Sequence, residues 1–141
     1  MENKIAQALV DTDVIIRLLT GDDLKKQQAS AQLFEKVEQE KIILSAPDTV
    51  IADAIYVLSS PRLYDIPRAK IRDLLAPLLR LTHFKVDNKQ TVLSALDFYT
   101  SSTIDFGDAM VAAMTLGSRT KSVYSYDHDY DKIPNITRLE P

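Results

Sequence analysis

Aspartates stand at four separated places in this chain: Asp11 and Asp13, Asp53, Asp105 and Asp108, and Asp127 and Asp129. Carboxylates forced within a few ångströms repel one another, so they must protonate, recruit cationic side chains or chelate a metal. Ligation by oxygen alone points to Mg²⁺ or Mn²⁺ rather than zinc. The chemistry open to such a set is therefore divalent-metal binding, provided that the fold gathers the four places.

The elements needed to gather them are legible. Ala8 to Val10 is a short apolar run that stops at Asp11, and Val14 to Leu19 reads as a short helix ending before Gly21. Asp22 or Asp23 caps a longer helix over Leu24 to Gln39, where Ala29, Leu33, Phe34 and Val37 recur at helical spacing. Ile42 to Leu44 is a second buried strand, and Pro47 takes the first-turn position of a helix to about Leu58 that carries Asp53. Pro67 to Leu81 is helical, with Pro77 expected to kink or divide it. Phe84 to Val86 is a third strand, Asn88 caps a helix through Thr100, Asp105 opens another through Leu116, and Ser122 to Tyr126 is the last strand. Such alternation argues a parallel sheet covered on both faces, whose strand ends form the ligand crevice.

Every acidic place also has a structural reading. Asp11 and Asp13 serve equally well as helix caps, and Asp105 with Asp108 is what an N-cap followed by a first-turn carboxylate looks like. Gly107 between them allows close backbone approach or a tight turn. Asp53 is the only charged residue from Thr49 to Ser60, so burying it without a partner would be costly; the alternative is a narrow polar edge beside Thr49 and Tyr56. Asp127 and Asp129 alternate as in a calcium loop, but the sixth position is Lys132 rather than glycine and the twelfth is Arg138 rather than glutamate.

Composition bounds the function. With 141 residues and 45% apolar content, the chain is read as one domain, 1–141, preceded by a polar leader over 1–7. Cysteine is absent, which excludes disulfide scaffolds and thiolate metal sites. No secretory n-region or long apolar run is present, so a cytoplasmic protein with no membrane association is expected. The aspartates named above more than account for the net charge of −3. Basic residues concentrate at Arg62, Arg68, Lys70, Arg72 and Arg80, opposed by Asp65 and Asp73; the stripe is either a solvated helix face or an RNA-backbone contact.

Four segments, in this order and across nearly the whole chain, carry a resemblance. They are Leu9-Val10-Asp11-Thr12-Asp13-Val14-Ile15-Ile16-Arg17-Leu18-Leu19-Thr20-Gly21-Asp22-Asp23, then Ile51-Ala52-Asp53, Asp105-Phe106-Gly107-Asp108-Ala109 and Ser125-Tyr126-Asp127-His128-Asp129-Tyr130. The chain resembles the PIN-domain ribonucleases, especially the VapC-type toxins of prokaryotic toxin–antitoxin modules. The resemblance implies an α/β fold, a three-layer α/β/α sandwich with a central, mostly parallel sheet. It implies an acidic quartet of Asp11, Asp53, Asp108 and Asp129 as catalytic and metal-binding residues, with Asp127 also at the metal and Asp105 near it. Thr12 and Ser125 match the family's small hydroxyl positions, and Arg17 matches a frequent basic residue on the first helix, where a surface ion pair is the alternative role. Two residues depart from the pattern. Asp13 stands where the family usually has Asn and adds charge, and Asp53 stands where it usually has Glu and is one methylene shorter.

The activity so implied is Mg²⁺- or Mn²⁺-dependent hydrolysis of phosphodiester bonds in single-stranded or looped RNA. A small antitoxin protein and a second copy of the chain are the implied partners, with surplus apolar residues on the helices after Asp22 and Pro67 as candidate dimer surface. His83 and His128 are proton-shuttle candidates that the family pattern does not use. Two rival readings stand beside this one. Asp11-Thr12-Asp13 after an apolar strand also fits the nucleophile motif of haloacid-dehalogenase-like phosphatases, with Asp11 as nucleophile. A PIN-like RNA- or protein-binding module with weakened metal binding is the other.

Overall fold

The structure, a computed structural model, describes residues 5–141. The expected leader over 1–7 lies outside the described residues through residue 4, and Ala6 and Gln7 already belong to the first strand. The chain divides into two compact units, one through Lys89 and one from Gln90.

The first unit runs β1 (Ala6–Leu9), α1 (Thr12–Leu19), α2 (Leu24–Glu38), β2 (Ile42–Ala46), α3 (Asp48–Ser59), α4 (Arg68–Leu79) and β3 (Phe84–Val86). The three strands form a parallel sheet in the order β1-β2-β3, with Leu9 opposite Ser45 and Ala46 opposite Val86. Parallel pairing requires long crossovers, which the helices supply. Ile51, Ile55 and Leu58 of α3, Ile71, Leu75 and Leu79 of α4, and Phe84 of β3 are fully enclosed. Phe34 of α2 meets Phe84 edge to face at 5.4 Å between ring centres.

Pro77 does not divide α4, which is continuous from Arg68 to Leu79. The carbonyl that loses its partner is that of Asp73, and both Asp73 and Pro77 are exposed residues, where solvent can take the place of the missing bond. Pro47 precedes α3 as its N-cap residue rather than occupying its first turn. Asp23, not Asp22, caps α2, its carboxylate accepting from the Lys26 amide at 3.0 Å. Asn88 takes a left-handed backbone conformation, and its side-chain amide donates to Asp48 at 3.0 Å.

The second unit carries α5 (Lys89–Ser101), which opens at the last residue of the first, then α6 (Phe106–Gly117), β4 (Ser122–Tyr124), a 3₁₀ turn over His128–Lys132 and β5 (Thr137–Leu139). Strands β4 and β5 pair in parallel, Ser122 opposite Thr137 and Tyr124 opposite Leu139. Tyr99 and Phe106 meet edge to face at 6.2 Å. The α/β class and the parallel strand pairing expected from the alternation are what the structure has. No helix among the described residues is long and apolar enough to cross a membrane.

Candidate functional site

In the first unit the acidic positions lie on either side of one open concavity of about 550 Å³, lined by Asp11, Thr12, Asp13 and Arg17 from the start of the chain and by Asp53 from α3. Asp11 leaves the sheet after β1 as the N-cap of α1, and its Oδ1 accepts from the Thr12 amide at 2.7 Å. The cap occupies one carboxylate oxygen and fixes the orientation of the other. Thr12 Oγ1 donates to the Val50 carbonyl at 3.5 Å, which ties the first turn of α1 to α3.

Asp53 reaches the concavity from an exposed position. It is not buried, so the alternative of a polar edge beside Thr49 and Tyr56 is the one the structure has. Thr49, Asp53 and Tyr56 recur at helical spacing as the exposed edge of an otherwise buried helix, so its solvation is retained and carries no penalty.

Arg17 is held by residues that the acidic pattern did not single out. Its Nη1 donates to Asp22 Oδ1 at 3.2 Å, and Tyr64 Oη donates to Asp22 Oδ2 at 2.6 Å. Thr20 Oγ1 lies 3.0 Å from Asp22 Oδ1 and 2.8 Å from the Ile16 carbonyl, and its single proton serves one of them at a time. The Tyr64 hydrogen bond, with help from Thr20 and Arg17, holds the Asp22 carboxyl below the usual carboxylate range and pushes the Tyr64 phenol up. In sequence Asp22 reads only as a candidate helix cap, and no pattern singles out Tyr64.

In the second unit Asp105 caps α6, its Oδ1 accepting from the Asp108 amide at 2.8 Å. Gly107 sits in the first turn, and a Cβ there would meet only Asp105 Oδ1 at 3.5 Å, an ordinary contact. No tight turn and no close approach by another part of this chain requires that glycine. Asp108 is half-buried. Desolvation raises its pKa first, the charges of Asp105, Asp127 and Asp129 add to the rise, and the hydroxyl of Tyr130, donating at 3.4 Å, opposes it. The phenol of Tyr130 is itself pushed up to about 12 by burial and by Asp108.

Asp127 caps the 3₁₀ turn by accepting from the Asp129 amide at 2.9 Å, and Ser125 Oγ accepts from the Asp127 amide at 3.0 Å. Asp129 Oδ1 lies 3.4 Å from Lys132 Nζ. Arg138, whose side chain is only 11% exposed, braces the loop through the Ser125 carbonyl at 2.9 Å, Asp131 at 3.0 Å and Glu140 at 2.7 Å. His128 is bound into the same network, 3.1 Å from Asp131 and 3.0 Å from Arg138, as the structural reading of a lone histidine has it. His83 instead has an enclosed Nδ1 with no hydrogen-bond partner. Of the basic stripe, Arg62, Lys70 and Arg80 are exposed, and Arg72 lies 3.8 Å from Asp73.

Within neither unit do three His, Cys, Asp or Glu side chains converge as a ready ligand group among the described residues. The charges acting on Asp108 are felt through space. The donors nevertheless fit a hard divalent cation: carboxylate and hydroxyl oxygens in the first unit, carboxylates around a half-buried aspartate in the second, and no thiolate in either.

The chain is 26% identical over 125 residues to the VapC ribonuclease of Aquifex aeolicus (strain VF5), an alignment that covers 89% of this chain and 90% of that relative. The family model for the PIN domain matches residues 8–136, a span that takes in all the aspartates described above, and the chain belongs to the PIN-domain family.

Proposed function

We propose that the protein is a metal-dependent endoribonuclease that hydrolyses phosphodiester bonds in single-stranded or looped RNA, and that it is the toxin of a toxin–antitoxin pair. The observation that carries this reading is that Asp11 and Asp53, from distant parts of the chain, line one open concavity, and both are positions at which the PIN resemblance implies an acid. The similarity to a protein named a VapC ribonuclease supports RNA as the substrate. Family membership argues against the phosphatase reading, in which Asp11 would be a covalent nucleophile.

In this reading Asp11 and Asp53 of the first unit, and Asp108 and Asp129 with Asp127 of the second, are the carboxylates that would bind Mg²⁺ or Mn²⁺. Held there, such an ion would supply acidification of a water molecule and neutralisation of charge on the phosphate oxygens. The chain's own residues do the rest. Asp108, raised by burial and by neighbouring acids, gains more than an ordinary carboxylate does from a cation, and it takes a proton more readily. Thr12 and Ser125 fix the backbone next to Asp11 and Asp127. Asp105 supports Asp108 through the cap, and Asp13 adds charge beside Asp11. A single strand fits because stacked duplex bases present their phosphates poorly to a cleft.

The partner proposed is a small antitoxin whose Arg or Lys side chains enter the acidic concavity and compete with metal. The protein is proposed to act as a homodimer in the cytoplasm. Incubation of a mixed RNA pool with Mg²⁺ or Mn²⁺ tests the activity. Cleavage that is abolished by EDTA and by Asp108→Asn is expected. Tight RNA binding without cleavage would favour a binding module, and hydrolysis of small phosphate esters alone would return the phosphatase reading.

A further inference from the structure

The loop between α1 and α2 and the loop between α3 and α4 meet at Asp22, and what they hold is Arg17. Both Asp22 oxygens are used, Oδ1 by Arg17 and Oδ2 by Tyr64, so the carboxylate can neither rotate nor leave without losing a bond at 2.6 Å or 3.2 Å. Arg17 lies four residues after Asp13 on α1, a spacing at which opposite charges commonly pair, and it borders the same concavity as Asp11 and Asp53. A free guanidinium in that place would fold onto those carboxylates and cancel the charge that attracts a cation. Its ion pair is instead with Asp22. A guanidinium presents five N–H donors in a planar fork, and the bond to Asp22 uses one of them.

Resting on the ribonuclease reading above, we propose that Asp22 and Tyr64 are positioning residues, which hold Arg17 at the rim of the acidic concavity, off the metal-binding carboxylates and available to a phosphate oxygen of the RNA backbone. The Tyr64 hydrogen bond lowers the Asp22 pKa from its ordinary value, so the carboxylate of the clasp is charged at neutral pH. Tyr64 acts through Asp22, and Asp22 through Arg17; neither needs to touch RNA.

Two measurements on the full chain test this. The first is the affinity for a fluorescein-labelled single-stranded RNA in EDTA, where no metal-dependent cleavage consumes the probe. Arg17→Ala, Asp22→Asn and Tyr64→Phe are each expected to weaken binding, Arg17→Ala by roughly tenfold. Tyr64→Phe should add nothing on the Arg17→Ala background. The second is Mn²⁺ binding without RNA, read by electron paramagnetic resonance. Asp22→Asn should weaken it several-fold by freeing Arg17 to pair with the acids, and Asp22→Asn/Arg17→Ala should restore it. A purely structural clasp gives no such rescue. Equal effects of Tyr64→Phe in both backgrounds overturn the proposal. So does Arg17→Ala binding RNA like the wild type; if the wild type still cleaves RNA, the nuclease reading survives that loss. The expected binding pattern with no cleavage in Mg²⁺ or Mn²⁺ sustains the clasp and sinks the nuclease reading instead. Tyr64→Phe retains the ring and removes one hydroxyl, so it decides the question even where Asp22→Asn folds poorly.

Discussion

Adding Mn²⁺ to the metal-free protein separates carboxylates that bind a cation from carboxylates that only cap helices. Without metal, Asp108 is penalised by burial and by the charges of Asp105 and Asp127, which raise its pKa. A carboxyl with a raised folded pKa binds more protons folded than unfolded, so stability falls as pH rises from its unfolded value through its folded one. Above that window the whole penalty is present, and a bound cation offsets it. Free metal at about 100 times its dissociation constant adds about 2.7 kcal/mol of stability to the state that binds it. For 141 residues at roughly 2.1 cal/mol/K each, the unfolding entropy is about 0.3 kcal/mol/K, which converts that gain into a Tm rise of about 9 °C. Asp108→Asn keeps the shape and removes the charge. Its metal-free Tm at neutral pH should match or exceed that of the wild type, while its response to Mn²⁺ should shrink to a small fraction. Scanning calorimetry of EDTA-stripped protein across a Mn²⁺ series at constant ionic strength gives both numbers. An unchanged wild-type Tm, or an equal rise in Asp108→Asn, would refute metal binding through Asp108. A metal-free Asp108→Asn protein less stable than the wild type at neutral pH would refute the electrostatic argument itself.

Three other perturbations follow from the same geometry. Phe84→Ala removes a fully enclosed ring that packs edge-on against Phe34. It should cost about 3–5 kcal/mol, or roughly 10–17 °C in Tm, and a loss below about 1 kcal/mol in denaturant unfolding would show that the ring is not packed as described. Asp22, with its lowered folded pKa, contributes stability above its unfolded pKa and loses it as pH falls through the folded value. The wild type should therefore lose its advantage over Asp22→Asn in acid; stability profiles that stay parallel to low pH would mean that the carboxylate is not held. Asp53→Glu restores the missing methylene at an exposed position, with little cost to folding, and should tighten Mn²⁺ binding by roughly tenfold, about one charge-assisted contact. Unchanged or weaker binding in a resonance titration would mean that this concavity is matched to the shorter acid.

The elements were legible where a long periodic stretch carries them. The α2 helix shows an apolar stripe of Ala29, Leu33, Phe34 and Val37, of which Phe34 and Val37 are buried, Leu33 is partly buried and Ala29 is exposed. Strand β5 was not legible, because three residues with no clear alternation, between a left-handed Asn135 and Pro141, carry no periodic signal. Pro77 lies on an exposed part of α4, as does Asp73, so the lost hydrogen bond is cheaper there than inside a core and the helix runs through it. Asp53 was singled out by an argument about burial, although the side chain is exposed; its solitude on an apolar helix was the informative signal. The bond from Tyr64 to Asp22 spans 42 positions, and each partner has a sufficient local explanation, so no pattern within the sequence pairs them. Arg138 was hidden for the same reason, since its partners Ser125, Asp131 and Glu140 are set by the return of β5 beside β4.

The structural and chemical readings of the aspartates, which compete when the sequence is read locally, turn out not to exclude each other. Asp11, Asp105 and Asp127 each cap a helical turn, and each does so through Oδ1 alone. Aspartate is a preferred residue at a helix N-terminus, and the cap aims the side chain while its second oxygen remains available to a cation. In two of the three motifs the capped amide belongs to the next acid of the pair: Asp105 binds the Asp108 amide and Asp127 binds the Asp129 amide. The capping aspartate thus fixes the backbone that carries its neighbour, and it also places a negative charge close enough to act on Asp108. Holding like charges at such spacing is unfavourable in the bare protein, and cap hydrogen bonds worth about 1 kcal/mol each help to keep them there. That arrangement is costly without a counter-ion and becomes favourable with one. For this reason the spacing of the aspartates in pairs, rather than their number, is the feature that ties the local structure of this chain to the chemistry proposed for it.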